Sequence, residues 1–334
     1  MSIIGTLSRA GREVDGVILQ YLKRGASRGF IPVVRHQVEA GGKRVRSALT
    51  ILSCEAAGGD RGAALRPAAM IELIHNYSLV ADDIIDHGEV RRGEPTVRAK
   101  YSDAMALLAA MYYREVLDEI ADDCLRSDDM RKLMIETIKA TIEGERLDIL
   151  FEQAGRTEDY MVRERCRSVS WDLYFEMIGK KTATLIRASC SAGCLAANAS
   201  DDATDALAGY GWKVGMGFQV ADDFLDIFGE KTGKEKGKDI IEHKLGNAVV
   251  ISALEELSDS KAKDLLEILR SSRVNESKLK KALELIDRTG AKTRTYQLAR
   301  KLANEGKTKL KILPESSAKT ALVQLADFIA TRVY

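Results

Sequence analysis

Two stretches, residues 64–87 and 202–229, are apolar on nearly every face a helix could present, and each carries the same acidic pattern toward its C-terminal end. The first holds Asp82-Asp83-Ile84-Ile85-Asp86 and the second Asp222-Asp223-Phe224-Leu225-Asp226. Helices that are apolar all round belong at the centre of a helical assembly. Burying unpaired carboxylates costs several kcal/mol or more, so clusters in such a setting need cations. Positions i and i+4 share a helix face, so Asp82 and Asp86 point the same way with Asp83 beside them, and Asp222, Asp226 and Asp223 repeat the arrangement. Oxygen-only donors grouped like this suit Mg²⁺, which keeps waters and takes phosphate oxygens as further ligands. Two such helices set face to face would hold a small cluster of divalent ions.

The spacing alone is a weak signal in a chain with 50 acidic residues. A third match, Asp201-Asp202-Ala203-Thr204-Asp205, follows Asn198-Ala199-Ser200. Ser200 reads as an N-cap, which puts these acids in a first helical turn, where the macrodipole favours them. This match is structural; the apolar flanks single out the other two.

Helical periodicity predicts helices over about 3–23, 43–57, 64–87, 103–124, 129–153, 159–177, 179–198, 202–229, 246–257, 260–271, 276–288, 291–304 and 316–332. Pro67 and Pro95 lie near helix starts, and Pro32 and Pro314 in or next to loops. Sustained alternation with β-branched enrichment is missing, so the class is all-α. The small residues Gly209, Gly211, Gly215 and Gly217 would let the second apolar helix approach its neighbours closely. Length allows two domains, but no linker or low-complexity tract divides the chain, which predicts one domain over 1–334. The acidic clusters would then open on the rim of a single helical bundle around a central cavity. A net charge of +1 argues against a nucleic-acid surface. The five cysteines (54, 124, 166, 190 and 194) are scattered. Cys190 and Cys194 are one helical turn apart, but nothing completes a zinc set, and buried free thiols in a reducing cytosol are expected. No signal-peptide pattern and no run of 18 apolar residues is present, so a cytoplasmic protein without a transmembrane segment is expected.

Basic residues complete the pattern. Gly41-Gly42-Lys43-Arg44-Val45-Arg46 opens a helix with a flexible Gly pair and three cations, which suits phosphate. His75 lies seven residues before Asp82, nearly two turns, on almost the same face. A lone His on an apolar helix is more often a satisfied core residue, but here it shares a stripe with metal-type carboxylates. Arg91-Arg92-Gly93 follows the first acidic cluster within one short loop, which makes sense if an anion lies between. Lys180-Lys181-Thr182 starts another helix, and Lys231 to Lys238 is a Gly- and Lys-rich loop, either solvated or a lid over phosphates. Two diphosphate-sized anion sites emerge: one bridged by Mg²⁺ at the Asp clusters, the other metal-free and built from Lys43, Arg46, His75 and Arg92.

At this point the chain resembles the trans-isoprenyl diphosphate synthases, the family of farnesyl and geranylgeranyl diphosphate synthases. The likeness rests on GGKRVR, ELIHNYSLVADDIIDHGEVRRGEPT, MIGKKTA, GFQVADDFLDIFG, TGKEKGKDIIEHK and LPESSAKTALVQLADFIATR, six segments in order over nearly the whole length. The resemblance implies a homodimer of one polyprenyl synthase domain. It implies that Asp82, Asp83, Asp86, Asp222, Asp223 and Asp226 hold about three Mg²⁺ ions on an allylic diphosphate, which Arg91, Lys181, Lys234 and Lys244 also bind. Lys43, Arg46, His75 and Arg92 would bind isopentenyl diphosphate. Lys181, Thr182 and Gln219 would be catalytic, the last two lining the carbon where positive charge develops. Tyr77, five residues before Asp82 and so about 7.5 Å further along the helix, would with Ser78 floor the cavity and set product length. That combination implies geranylgeranyl diphosphate as product, with farnesyl or geranylfarnesyl diphosphate as alternatives. The chain departs from the family pattern at Ser47, where Pro is usual, at Gly246-Asn247-Ala248, at Ala110-Met111 and at Glu145, where Gln is common. A terpene cyclase would carry a second metal motif mixing Asn, Ser or Thr with Glu. A non-catalytic subunit of a heteromeric synthase would lose Asp or Arg from motifs that are intact here.

Overall fold

The computed structural model describes residues 3–229 and 236–331. Helix dominates, at 75% of the chain, in agreement with the all-α expectation. In chain order come α1 (Ile3–Leu22), α2 (Ile31–Glu39), α3 (Val45–Ala56) and α4 (Leu65–Ile85). A two-residue hairpin, β1 (Val90–Arg91) and β2 (Glu94–Pro95), leads to α5 (Val97–Tyr101), α6 (Asp103–Asp122) and α7 (Ser127–Leu150). Next are α8 (Asp159–Glu164), α9 (Trp171–Ile178), a π-helical turn (Gly179–Ala183), α10 (Thr184–Ala196) and α11 (Asp201–Phe228). The chain finishes with α12 (Lys238–Ile241), α13 (Ala248–Leu254), α14 (Asp259–Leu269), α15 (Glu276–Asp287), α16 (Ala291–Lys309) and α17 (Ser317–Thr331).

These elements form two compact units interleaved along the chain. The first takes the residues up to Lys139, Leu185–Gly211 and Thr308–Leu325; the second takes Ala140–Thr184, Trp212–Lys307 and the residues from Ala326 on. In the first unit α4 is the central element, as its all-round apolar character predicts. Its Met70, Ile71, Leu73 and Ile74 are fully buried, and it packs along α6 and against α1 and α3. In the second unit one apolar cluster gathers Phe151, Tyr174, Ile178, Met216, Val220 and Phe224. A second gathers residues of α12 to α15 around Val249, Val250, Leu265 and Ile286.

The ends of α11 follow from its sequence. Ser200 Oγ accepts the Ala203 amide at 3.4 Å, and Asp201 and Asp202 occupy the first turn, so the third acidic match is the helix start the sequence predicts. The glycines of α11 do allow close approach: a Cβ at Gly211 would lie 2.9 Å from Cys190 Sγ, and one at Gly217 would lie 3.1 Å from the Ala299 carbonyl oxygen. The cysteines are free, and all but Cys166 are buried.

Several local expectations need correction. No helix is expected over 31–39, yet α2 lies there, with Pro32 next to the preceding turn and in the first helical turn, where its missing N–H is not needed. The span 159–177 is two helices. Its middle is held out of helix by tertiary hydrogen bonds: Cys166 N–H to Leu150 O at 2.9 Å, and Gln153 Nε2 to Cys166 O at 2.7 Å. The helix expected from residue 179 starts at Thr184, after the π-turn. The turn Arg92-Gly93 has positive φ at both positions, 59° and 83°, as a two-residue hairpin turn requires.

Candidate active site

Both acidic clusters sit at helix C-termini. Asp82 and Asp83 lie in the last turn of α4 and Asp86 is its C-cap; Asp222, Asp223 and Asp226 lie in the last two turns of α11. The macrodipole disfavours carboxylates there by about 0.3–1 kcal/mol each, so local stability does not explain their placement.

In the first unit, Asp83 is buried and accepts a bidentate pair from Arg91, with Nε at 3.0 Å and Nη2 at 2.8 Å from Oδ1. The hairpin delivers Arg91 back onto the helix that precedes it. Arg92, next in the turn, brings its guanidinium against the Gly41-Gly42 loop. A Cβ at Gly42, whose φ is 141°, would meet Arg92 Cζ at 2.7 Å. Lys43 is exposed and Arg46 half-buried at the start of α3. His75 is half-buried on α4, and burial of the ring together with Arg46, Arg92, Arg91 and Arg44 pushes its pKa well below the usual value. It is therefore neutral at physiological pH, amid four guanidiniums. Such a concentration of cations suits a polyanion. Tyr77 and Ser78 are half-buried on the same helix, and Ser78 Oγ donates to the His75 carbonyl at 2.9 Å.

In the second unit, Asp223 is buried and receives three donors: Tyr174 Oη at 2.7 Å, the Ala248 amide at 2.8 Å and Gln219 Nε2 at 2.9 Å. Gln219 Oε1 in turn accepts from Thr182 Oγ1 at 2.8 Å. Thr182, Gln219, Asp223 and Tyr174 thus form one chain of hydrogen bonds. Burial raises the Asp223 carboxyl well above its usual value, with the Asp239 charge adding to the rise. Burial, with Asp223 beside it, likewise raises the Tyr174 phenol. Asp226 accepts the Lys238 and Asp239 amides at 3.0 and 3.2 Å, tying the start of α12 to the end of α11. Lys234 falls outside the described residues.

Lys181 and Lys244 share a carboxylate. Lys181 Nζ is 2.6 Å from both Glu145 and Asp148, and Lys244 Nζ is 3.3 Å from Asp148 and from Glu242. Burial alone would raise the Asp148 carboxyl, but the two ammoniums hold it below the usual carboxylate range. The π-turn that presents Lys181 and Thr182 lies directly on Gly144 of α7. Asn247 caps α13 through the Val249 and Val250 amides and donates to Asp239 at 2.8 Å. Gly246 leaves room for the Phe151 ring, which would be 2.5 Å from a Cβ there.

Asp148, Tyr174, Asp239 and Glu72 escaped the sequence reading. Asp148 was findable only as the i+3 partner of Glu145 on a helix rich in other charges; nothing local marks Tyr174, which looks like any core aromatic.

The donor chemistry fits Mg²⁺, being all carboxylate. Among the described residues, however, no three His, Cys, Asp or Glu side chains are close enough to cage an ion. Mg²⁺ characteristically takes one or two carboxylates and completes its shell with waters and phosphate oxygens, so a preformed cage is not required.

The polyprenyl synthetase family model matches residues 30–286. The chain is 34% identical over 337 residues to the short chain isoprenyl diphosphate synthase of Methanothermobacter thermautotrophicus, covering 99% of each. It is 32% identical to the geranylgeranyl diphosphate synthase of Methanosarcina mazei, over 100% of this chain and 99% of that one. The crystal structure of geranylgeranyl pyrophosphate synthetase from Pyrococcus horikoshii superposes with a TM-score of 0.87 at 30% identity, covering 98% of both chains.

Proposed function

The chain belongs to the polyprenyl synthetase family and is a trans-prenyltransferase, and from that premise we propose that it condenses isopentenyl diphosphate with an allylic diphosphate to give chiefly geranylgeranyl diphosphate. The observation that carries this reading is the gathering of Arg44, Arg46, Arg91 and Arg92 around His75, adjoining the carboxylates of α4. Enzymes that only ionise a diphosphate have no use for a second anion site.

In this reading Asp82, Asp86, Asp222 and Asp226 hold Mg²⁺, about three ions, on the allylic diphosphate. Asp83 and Asp223 serve the same site through the partners they orient, Arg91 and Gln219. Bound Mg²⁺ neutralises charge that builds on the departing diphosphate. Arg91, Lys181, Lys244 and Lys234 take the remaining phosphate oxygens. Lys43, Arg46, Arg92 and His75 anchor isopentenyl diphosphate, His75 as a neutral hydrogen-bond partner. As the allylic C–O bond breaks, the Thr182 hydroxyl and the Gln219 amide oxygen face the electron-poor carbon, which the isopentenyl double bond attacks. The proton then lost passes to the released diphosphate. Apolar walls exclude water that would quench the cation. Tyr77, with Ser78 beside it, blocks the growing tail at twenty carbons.

We further propose a homodimer. Leu107, Leu108 and Met111 on α6 are 56%, 46% and 58% exposed, and Ile135 and Ile142 on α7 are 39% and 54% exposed. Exposed apolar side chains grouped as Leu107, Leu108 and Met111 are on α6 suit a second copy. No described helix is long and apolar enough to cross a membrane, and the reading puts the enzyme in the cytoplasm.

The test is incubation of the purified chain and Mg²⁺ with labelled isopentenyl diphosphate and each allylic primer, with dephosphorylated products sized by chromatography. A C20 product is expected. Absence of incorporation with every primer would overturn the proposal.

A further inference from the structure

The loop Gly41-Gly42-Lys43-Arg44-Val45-Arg46 offers three cations, but the middle one is turned inward. Arg44 is 4% exposed, while Lys43 is exposed and Arg46 half-buried. Its backbone is left-handed (φ 50°, ψ 36°), a strained conformation for a residue with a Cβ, and it precedes the first residue of α3. Such strain persists only where the surroundings over-determine it.

They do. Arg44 Nε donates to Asp15 Oδ1 at 2.7 Å, and Nη2 to Asp15 Oδ2 at 3.0 Å and Val38 O at 2.8 Å. Nη1 donates to Gly41 O at 2.8 Å and Glu72 Oε1 at 3.3 Å. A guanidinium has five N–H donors, so all are spent and none remains for a substrate. The other Glu72 oxygen accepts from Ser47 Oγ at 2.7 Å, and both of these residues are buried. The network therefore joins α1 (Asp15), the end of α2 (Val38), the loop (Gly41), α3 (Ser47) and α4 (Glu72). Glu72 lies one turn before His75 on α4. The loop is thereby gripped on either side of Lys43: at the Gly41 carbonyl, and at Arg44, whose side chain is anchored to Asp15, Val38 and Glu72.

We propose that Asp15, Arg44, Glu72 and Ser47 are positioning residues that preform the isopentenyl diphosphate site, by fixing the loop backbone that aims Lys43 and Arg46 and seats Gly42 against Arg92. The inference rests on the assignment of that anion site under the proposed function. None of the four touches the substrate. Their effect is preorganisation: with the network intact, binding does not have to order the loop.

Arg44→Ala would leave Glu72 buried without its cation and is prone not to fold, so the test uses Ser47→Ala and the half-exposed Asp15→Asn. Steady-state kinetics with each substrate varied, and thermal midpoints, are compared with Lys43→Ala and Arg92→Ala. Ser47→Ala and Asp15→Asn are expected to raise KM for isopentenyl diphosphate on the order of tenfold, the worth of one hydrogen bond to a charged group. KM for the allylic primer and kcat should stay within about twofold. If the two variants lower the thermal midpoint but leave both KM values alone, or raise both equally, the network is structural only and the inference fails. If Lys43→Ala and Arg92→Ala leave isopentenyl KM unchanged, the anion site itself is misassigned and the inference falls with it. If those two raise it while Ser47→Ala and Asp15→Asn do not, only the positioning role is refuted.

Discussion

Gly144→Ala puts the presentation of Lys181 and Thr182 to a direct test. A Cβ at residue 144 would stand 2.2 Å from Lys181 N, 2.6 Å from Lys181 Cα and 2.7 Å from the Lys180 carbonyl carbon. Ordinary contact begins at 3.4 Å, and 3.4 Å less 2.2 Å leaves 1.2 Å to be found. All three obstacles are backbone, so no side chain can swing aside. Alanine at an unobstructed site inside a helix would stabilise by about 0.5–1 kcal/mol relative to glycine; overpacking costs about 1–3 kcal/mol. With 1.2 Å to be found among backbone atoms the clash wins, and the thermal midpoint should fall by about 1–3 °C in a chain this long. The functional loss should be larger, because the shift falls on the π-turn that carries Lys181 and Thr182. Displacement of a catalytic group by about 1 Å can cost on the order of 10²-fold in rate. The assay is kcat and both KM values, beside thermal melting. The expected outcome is a deep loss of kcat and a raised allylic KM with isopentenyl KM near wild type. A Gly144→Ala enzyme that is more stable and fully active would show that the close contact does not hold the turn, and the reasoning would be refuted.

Asp82→Ala or Asp222→Ala should cut turnover by orders of magnitude while circular dichroism stays native, and near wild-type turnover would remove these residues from the metal site. Arg92→Ala should weaken isopentenyl diphosphate more than the allylic primer and Arg91→Ala the reverse; equal effects on both KM values would erase the division. His75 is depressed in the fold while its unfolded value lies near 6.5, so below about pH 6.5 the unfolded chain takes up a proton that the folded chain refuses. Its contribution is present above that pH and lost as pH falls toward the folded value. His75→Gln should flatten the acid slope of the urea midpoint, leaving the part due to His243, which burial also depresses. Tyr77→Ala should lengthen the product beyond C20, and an unchanged chromatographic profile would dismiss Tyr77 as the ruler.

Much of the architecture was legible because its strongest signals were long and redundant. The run 64–87 forms α4 (Leu65–Ile85) and 202–229 forms α11 (Asp201–Phe228), each within two residues. What stayed hidden was set by tertiary context. The hairpin strands are two residues each, too short to alternate, and the turn is Arg92-Gly93 rather than a common Asn-Gly pair. The π-turn at Gly179–Ala183 reads as ordinary helix, since its extra residue answers to the close approach of Gly144 on a different helix. The departures at Glu145 and Asn247 were visible as substitutions, but their roles were not: Glu145 pairs with Lys181, and Asn247 both caps α13 and holds Asp239. A sequence displays charges, not which of them will neutralise one another.

The three acidic matches make the same point in reverse. All share one spacing, yet Asp201-Asp202 lie in the first turn of α11, where the helix dipole stabilises them, while the other two clusters lie at helix C-termini, where it does not. Position on the helix, not the pattern, separates a helix start from the proposed cation site. The same logic applies within GGKRVR. Lys43, Arg44 and Arg46 are alike as charges, but Arg44 has every donor occupied by its own protein. A cation whose donors are all satisfied internally can only shape an anion site from behind. The functional content of a charged cluster therefore lies in the hydrogen-bonding capacity left after the fold has taken its share. The two KM values of the Lys43 and Arg92 variants would measure direct contact with the anion, and those of the Ser47 and Asp15 variants the shaping from behind.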